Sequence, residues 1–149
     1  MEIKTINAEI AVASQITPDD VQKLADQGFR ALICNRPDGE AADQPNFSEI
    51  EVAAKRAGLE IRNLPIVSGK VSDQDAVDFG AAMQELPRPI LAYCRTGTRS
   101  ATLWALSQAS RMSVADILTA TNAAGYDLEG VVLRIANGGK APTDRTDAS

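Results

Sequence analysis

Residues 90–100 read ILAYCRTGTRS. The apolar run ILAY (90–93) predicts a short buried strand, and residues 100–110 predict a helix behind it. A tight loop between such a strand and helix points successive backbone N–H groups at one spot above the helix N-terminus. That is an anion cradle. Gly97 permits the positive φ that such a turn needs. Arg95 and Arg99 add fixed positive charge, and a guanidinium takes two oxygens at once. Cys94, at the base of the cradle, is expected to be held as thiolate by the same amides and the helix dipole. The hydroxyls of Thr96, Thr98 and Ser100 can donate to the sulfur or to a bound anion. A lone cysteine before a turn is ordinarily a small buried residue. This strand, glycine, arginine pair and helix together make Cys94 a nucleophile instead.

The chain has no histidine. Ser-His-Asp and Cys-His catalysis are therefore excluded, as are His-ligated zinc and haem. The loop itself must activate the sulfur, and no metal or organic cofactor is expected.

Outward from the loop, strand-like and helix-like stretches alternate. Ile3, Ile6, Ile10 and Val12 lie in two short β-like pieces, a hairpin or leading strand. Thr17-Pro18 opens a helix that Gly28 closes. FRALIC (29–34) reads as a buried strand. Ser48 and Glu51 resemble a capping box for a helix ended by Gly58. A strand lies within 59–66, and Ser72 with Asp75 caps the next helix, which Pro87 and Pro89 stop. Beyond the loop, Ser113 caps one helix, and Asp127 opens a last one over 128–136. Trp104 is expected to pack the core face of the helix behind the loop. The pattern predicts a single α/β domain over residues 1–137, a mainly parallel central sheet flanked by helices, with a polar, flexible tail over 138–149. In such sheets ligands bind beyond the carboxyl ends of the strands, where Cys34 and Cys94 both fall.

Composition sets the outer bounds. A chain of 149 residues suits one domain, and 44% hydrophobic with 23% charged residues suits a globular one. A net charge of −5 argues against a nucleic-acid partner. Two cysteines in unlike settings do not make a disulfide scaffold. The start, MEIKTINAEI, lacks a basic region followed by an apolar one, so no signal peptide is expected. No apolar run reaches about 18 residues, so no membrane span is expected. The expected location is the cytoplasm, where thiols stay reduced.

The loop is similar to those of two enzyme classes. Cysteine-dependent phosphatases have Cys, five residues, Arg, then Ser or Thr, usually with His before the Cys. Rhodanese-type sulfurtransferases have a shorter loop that often reads Cys-Arg-x-Gly-x-Arg. Here four residues separate Cys94 from Arg99, Arg95 follows the Cys directly, and Tyr93 precedes it. Over about residues 3–136 the chain resembles a bacterial beta-lactamase-hydrolase-like, phosphatase-like family. The resemblance rests on QITP (15–18), NRPDGE (35–40), NLPI (63–66) and, most specifically, CRTGTRS (94–100). It implies a fold like that of dual-specificity phosphatases. Some members are joined to, or encoded beside, sulfide-oxidising enzymes such as persulfide dioxygenases, which makes such an enzyme a possible partner.

Two mechanisms follow. The first expectation is sulfur transfer: Cys94 attacks thiosulfate or a persulfide, carries the sulfur as a persulfide, and passes it to a thiol or cyanide. Its partners are a small anionic sulfur donor and a thiol acceptor. A loop one residue shorter closes a narrower ring, which suits one sulfur better than a phosphoryl group. Arg95 and Arg99 then bind the donor's sulfonate. The alternative is a dual-specificity-type phosphatase working through a Cys94 phosphocysteine clamped by Arg99. That route calls for a general acid, for which Asp73 and Asp75 are the candidates and Asp38 a further one. All three also have local roles to fill, the first two in a helix's first turn and Asp38 in a turn. A third reading is a module whose loop only holds an anion. Cys34 reads as a small core residue rather than a resolving thiol. Arg36, Pro37 and Glu40 follow it on a loop at the same sheet edge and are expected near the pocket.

Overall fold

The computed structural model of the chain describes residues 1–141. Five strands form one sheet: β1 (Ile3–Thr5), β2 (Ile10–Ala13), β3 (Ala31–Cys34), β4 (Glu60–Asn63) and β5 (Ile90–Tyr93). Their order is β1-β2-β5-β3-β4. β1 pairs antiparallel with β2, which makes the hairpin, one of the two arrangements the start of the chain allowed, and every other pairing is parallel. The helices are α1 (Pro18–Asp26), α2 (Phe47–Ala57), α3 (Asp73–Glu85), α4 (Thr98–Ser107), α5 (Val114–Ala123) and α6 (Val132–Ala136). This is the α/β domain with a mostly parallel sheet that the alternating pattern predicts.

The central strands are buried along their whole length. Alternate residues feed two cores, as a sheet covered on both faces requires. Ala11, Leu32, Cys34, Leu91 and Tyr93 face α1 and α2. Val12, Ile33, Ile90 and Ala92 face α3 to α6, where Phe79, Leu103 and Trp104 fill the layer. Each large apolar side chain so enclosed contributes about 1.5–3 kcal/mol. This packing holds α4, and hence the loop at its start, against β5.

Three helix starts differ from expectation, the first being α4, which begins at Thr98 and not at Ser100. α2 is capped by Asn46, whose side chain accepts from the Glu49 amide at 3.2 Å. Ser48 is already inside the first turn and donates to Asn46 Oδ1. Asn is as good a cap as Ser, and the earlier residue wins because Asp38 also accepts from the Phe47 amide at 2.7 Å. The final segment is not one helix: a 3₁₀ turn (Glu129–Val131) containing Gly130 precedes the short α6. Of the polar tail expected over 138–149, residues 142–149 lie outside the described residues. No helix among the described residues is long and apolar enough to cross a membrane.

Candidate functional site

Ala13, Tyr93 and Cys34 stand level at the carboxyl ends of β2, β5 and β3. The next residue of β5 is Cys94 and the next of β3 is Asn35, so both enter the crevice above the sheet at its centre. Asn35 is fully buried and joins the pieces together. Its backbone N–H donates to the Tyr93 carbonyl at 2.8 Å and its carbonyl accepts from the Ile66 amide at 2.9 Å. Its side-chain amide donates to the Leu64 carbonyl at 2.9 Å and its Oδ1 accepts from Ser100 Oγ at 2.8 Å. One residue thus ties the ends of β3 and β5, the segment after β4, and the first turn of α4.

Cys94 is 1% exposed and lies under the loop. The Gly97 amide donates to its Sγ at 3.0 Å. Gly97 reaches that position in the left-handed region, at φ 91°, and a Cβ there would collide with the Tyr126 hydroxyl. Tyr126 in turn donates to the Thr96 carbonyl at 3.2 Å, bracing the loop from outside. The hydroxyls of Thr96 and Thr98 lie 3.1 Å apart on the exposed rim.

Arg99 sits in the first turn of α4 and is nearly buried. Its guanidinium forks onto Glu40, with Nη1 to Oε2 and Nη2 to Oε1 both at 2.8 Å, and Nη1 also donates to the Ile66 carbonyl at 2.8 Å. Glu40 accepts a third bond, from Arg36 Nε at 2.9 Å, and Arg36 Nη1 donates to Gln15 at 3.1 Å. The Arg99 hydrogen bonds, with Arg36 assisting, overcome burial and hold the Glu40 carboxyl down at about 2. The Glu40 hydrogen bond likewise raises Arg99 above its ordinary value, with Cys94 beside it adding to the effect.

Arg36, Glu40, Arg95, Thr98 and Arg99 line a cavity of about 690 Å³, with the buried Cys94 sulfur beneath the loop and not on its wall. Its wall also carries Arg134, from α6. Four guanidinium groups and one carboxylate line the cavity, and Asp73 behind the wall pairs with Arg134. Such a wall focuses a positive field on the opening. Among the described residues no group of three or more His, Cys, Asp or Glu is placed to hold a metal ion.

The loop residues Cys94 to Ser100 are brought together; the acid candidates are not. Asp75 sits in the α3 capping box, its Oδ2 accepting from the Ser72 amide at 2.8 Å. Asp73 accepts from Arg134 at 3.0 Å and from the Ala141 amide at 2.6 Å. Neither lines the cavity, nor does Asp38, which caps α2. Cys34 points into the core under α1 and α2, donates to the Arg36 carbonyl at 3.4 Å, and has its thiol pushed up chiefly by burial. Asn35 and Arg134 were not legible as site residues. A buried Asn looks like any loop polar in sequence, and Arg134 is 40 positions from Cys94.

Residues 2–111 match the family described as beta-lactamase hydrolase-like protein, phosphatase-like domain. A beta-lactamase hydrolase-like protein of Xylella fastidiosa strain Temecula1 is 33% identical over 130 residues. That match covers 86% of this chain but 30% of the relative, so the chain spans under a third of the relative's length. A crystal structure from Neisseria meningitidis, described as a candidate phosphatase, is 33% identical with a TM-score of 0.83. It is covered to 99%, and this chain to 93%. The structure of PTPMT1, at 17% identity, has a TM-score of 0.72 over 99% of this chain and all of its own, a likeness of fold.

These findings overturn the expectation of a rhodanese-type thiosulfate sulfurtransferase with a Cys94 persulfide. The matched family and the Neisseria protein point to phosphatase chemistry. Two arguments from the loop misled. Ring size was inferred from residue count, but Arg99 is placed by Glu40 and the Ile66 carbonyl, partners from outside the loop. Tyr93, taken as a departure from a phosphatase His, packs into the opposite core beneath α1 and α2.

Proposed function

This chain belongs to the phosphatase-like domain family of beta-lactamase hydrolase-like proteins, and from that membership we propose that it is a cysteine-dependent phosphatase with Cys94 as nucleophile. One observation carries the reading: Cys94 Sγ already accepts the Gly97 N–H, while Arg99 is locked by Glu40 and Ile66 at the same cavity. A phosphoryl group bound there meets a sulfur from below and a fixed guanidinium from the side, the arrangement that stabilises charge on transferring oxygens.

In the first step the Cys94 thiolate attacks phosphorus. The S–P bond forms as the P–O bond to the leaving group breaks, and its electron pair stays on the leaving oxygen. Water then attacks the phosphocysteine. A new P–O bond forms, the S–P bond breaks, the pair returns to sulfur, and orthophosphate leaves. Across both steps one water is consumed, one of its protons ending on the leaving oxygen. Glu40 is ionised under working conditions and acts as a clamp, not an acid. Solvent therefore supplies the leaving-group proton, and good leaving groups are favoured. Asn35 and Ser100 are positioning residues that hold the loop to the sheet. A reducing compartment such as the cytoplasm keeps the Cys94 sulfur free for this cycle.

The test is hydrolysis of para-nitrophenyl phosphate. Wild type is expected to release phosphate, Cys94→Ser to release none, and Arg99→Lys to lose about a hundredfold in kcat. Acid quenching during turnover is expected to trap a phosphate adduct on Cys94 by mass. Turnover that survives Cys94→Ser refutes the mechanism.

A further inference from the structure

The four arginines of the cavity carry more charge than the two carboxylates paired with them, Glu40 and Asp73, return. Two of its four arginines, Arg36 and Arg99, share Glu40. Arg95 is different: its side chain is exposed on the loop and makes no hydrogen bond or ion pair among the described residues. Arg134 approaches from α6, outside the span matched to the family. Nη1 and Nη2 are used by the Val71 carbonyl and Asp73, but its Nε is buried with no acceptor among the described residues. Buried donors are almost always satisfied, and leaving one unmade costs free energy. Arg134 is part of the cavity wall, so an anion bound there meets a guanidinium whose own hydrogen bonds are incomplete. The aliphatic parts of that wall are small, Ala41, Val71 and Val131, and no aromatic face lines it. A flat aryl ester finds nothing to stack on there.

We propose that the natural substrate is a compact, non-aromatic phosphate ester or anhydride carrying a second anionic group, which Arg134 and Arg95 hold while Arg99 and the loop amides hold the reacting phosphoryl. The assignment rests on the phosphatase reading of the same cavity and goes beyond it in naming the substrate class. Arg99 and Cys94 define where chemistry happens; Arg134 and Arg95 define which phosphates arrive.

Binding to the inert Cys94→Ser protein tests the assignment without turnover. Calorimetry at physiological salt compares inorganic diphosphate and fructose 1,6-bisphosphate, whose anions are adjacent or one sugar apart, with fructose 6-phosphate. At least one bis-anion is expected to bind about tenfold or more tightly than the monophosphate, the scale of a charge-assisted hydrogen bond. Adding Arg134→Gln is expected to bring that ratio close to one. Arg95→Gln is expected to shrink it as well, and its exposed side chain leaves the core untouched. Lys70→Gln removes the same charge from a neighbouring exposed position that does not line the cavity, and is expected to leave the ratio alone. Equal affinity for all three ligands overturns the assignment, as does a ratio that falls equally with Lys70→Gln. Turnover separates the two claims. If para-nitrophenyl phosphate is hydrolysed but no bis-anion is preferred, this assignment alone falls. If the preference is present but no phosphate ester or anhydride is ever hydrolysed, the phosphatase reading falls and the subsite stands.

Discussion

Replacing Glu40 by Gln keeps the shape of the side chain and removes its charge. In the native site that charge neutralises parts of two nearly buried guanidinium groups, Arg36 and Arg99. Holding a carboxyl at about 2 instead of its ordinary 4.5 corresponds to about 3 kcal/mol of coupling to the folded state. The Glu40 side chain is 25% exposed, so solvent screening reduces that figure to about 1.5–2 kcal/mol. Because the pKa is depressed on folding, the contribution is complete above about pH 4.5 and is lost as the pH falls through about 2. Urea melts of wild type and Glu40→Gln, run from pH 7 to pH 2, measure it directly. The stability gap is expected to be about 1.5–2 kcal/mol at pH 7 and 5, to narrow below pH 4.5, and to fall to about 0.4 kcal/mol near pH 2, where native Glu40 is half protonated. A gap that is constant across that range means the loss comes from something other than charge. A gap absent at pH 7 means the clamp does not couple to folding at all, and either result refutes the reasoning.

Three further outcomes follow from the same geometry. Gly97→Ala forces a Cβ into the left-handed region and against Tyr126, so thermal melting is expected to report a loss of about 1–3 kcal/mol, with phosphatase turnover falling more than stability alone explains. Ser100→Ala leaves the buried Asn35 Oδ1 without its donor and is expected to cost about 1–3 kcal/mol in a urea melt, while Thr98→Ala, on the rim, costs far less. Asp75→Ala removes half a capping box and is expected to lower stability by about 1 kcal/mol with kcat on para-nitrophenyl phosphate unchanged; a large fall in kcat would restore Asp75 as the general acid.

Much of the fold could be read from the chain because its signals were local. Thr17 with Pro18, Ser72 with Asp75, and Ser113 each start a helix through bonds to residues three or four positions away. The buried strands announce themselves by composition, and a parallel sheet follows from the spacing between them. The loop around Cys94 was legible for the same reason, since strand, turn glycine, arginine and helix are contiguous. Non-local contacts were not legible. Asn35 and Ser100 are 65 residues apart, and Arg99 and Glu40 are 59 apart. Nothing in either partner's own neighbourhood marks the pair. Loop length was a poor guide because Arg99 is placed by such a pair and not by the loop alone.

Glu40 also explains how a chain of net charge −5 can present an anion site. An unpaired arginine in a wet cavity samples many rotamers, and ordering it on binding costs about 2 kcal/mol of side-chain entropy. Arg99 has already lost that freedom, since Glu40 grips both of its terminal nitrogens and the Ile66 carbonyl takes a third bond. A buried ion pair is a poor source of net stability, because desolvation offsets most of the attraction. On the proposed phosphatase reading its value lies in order: the guanidinium is fixed near Cys94 before substrate arrives, and the free energy of phosphate binding is left for the transition state. The surplus of positive charge over Glu40 is then supplied by Arg95 and Arg134. Arg95 stands outside the clamp with no side-chain partner among the described residues, and Arg134, whose terminal nitrogens are taken by Val71 and Asp73, keeps its Nε unmatched.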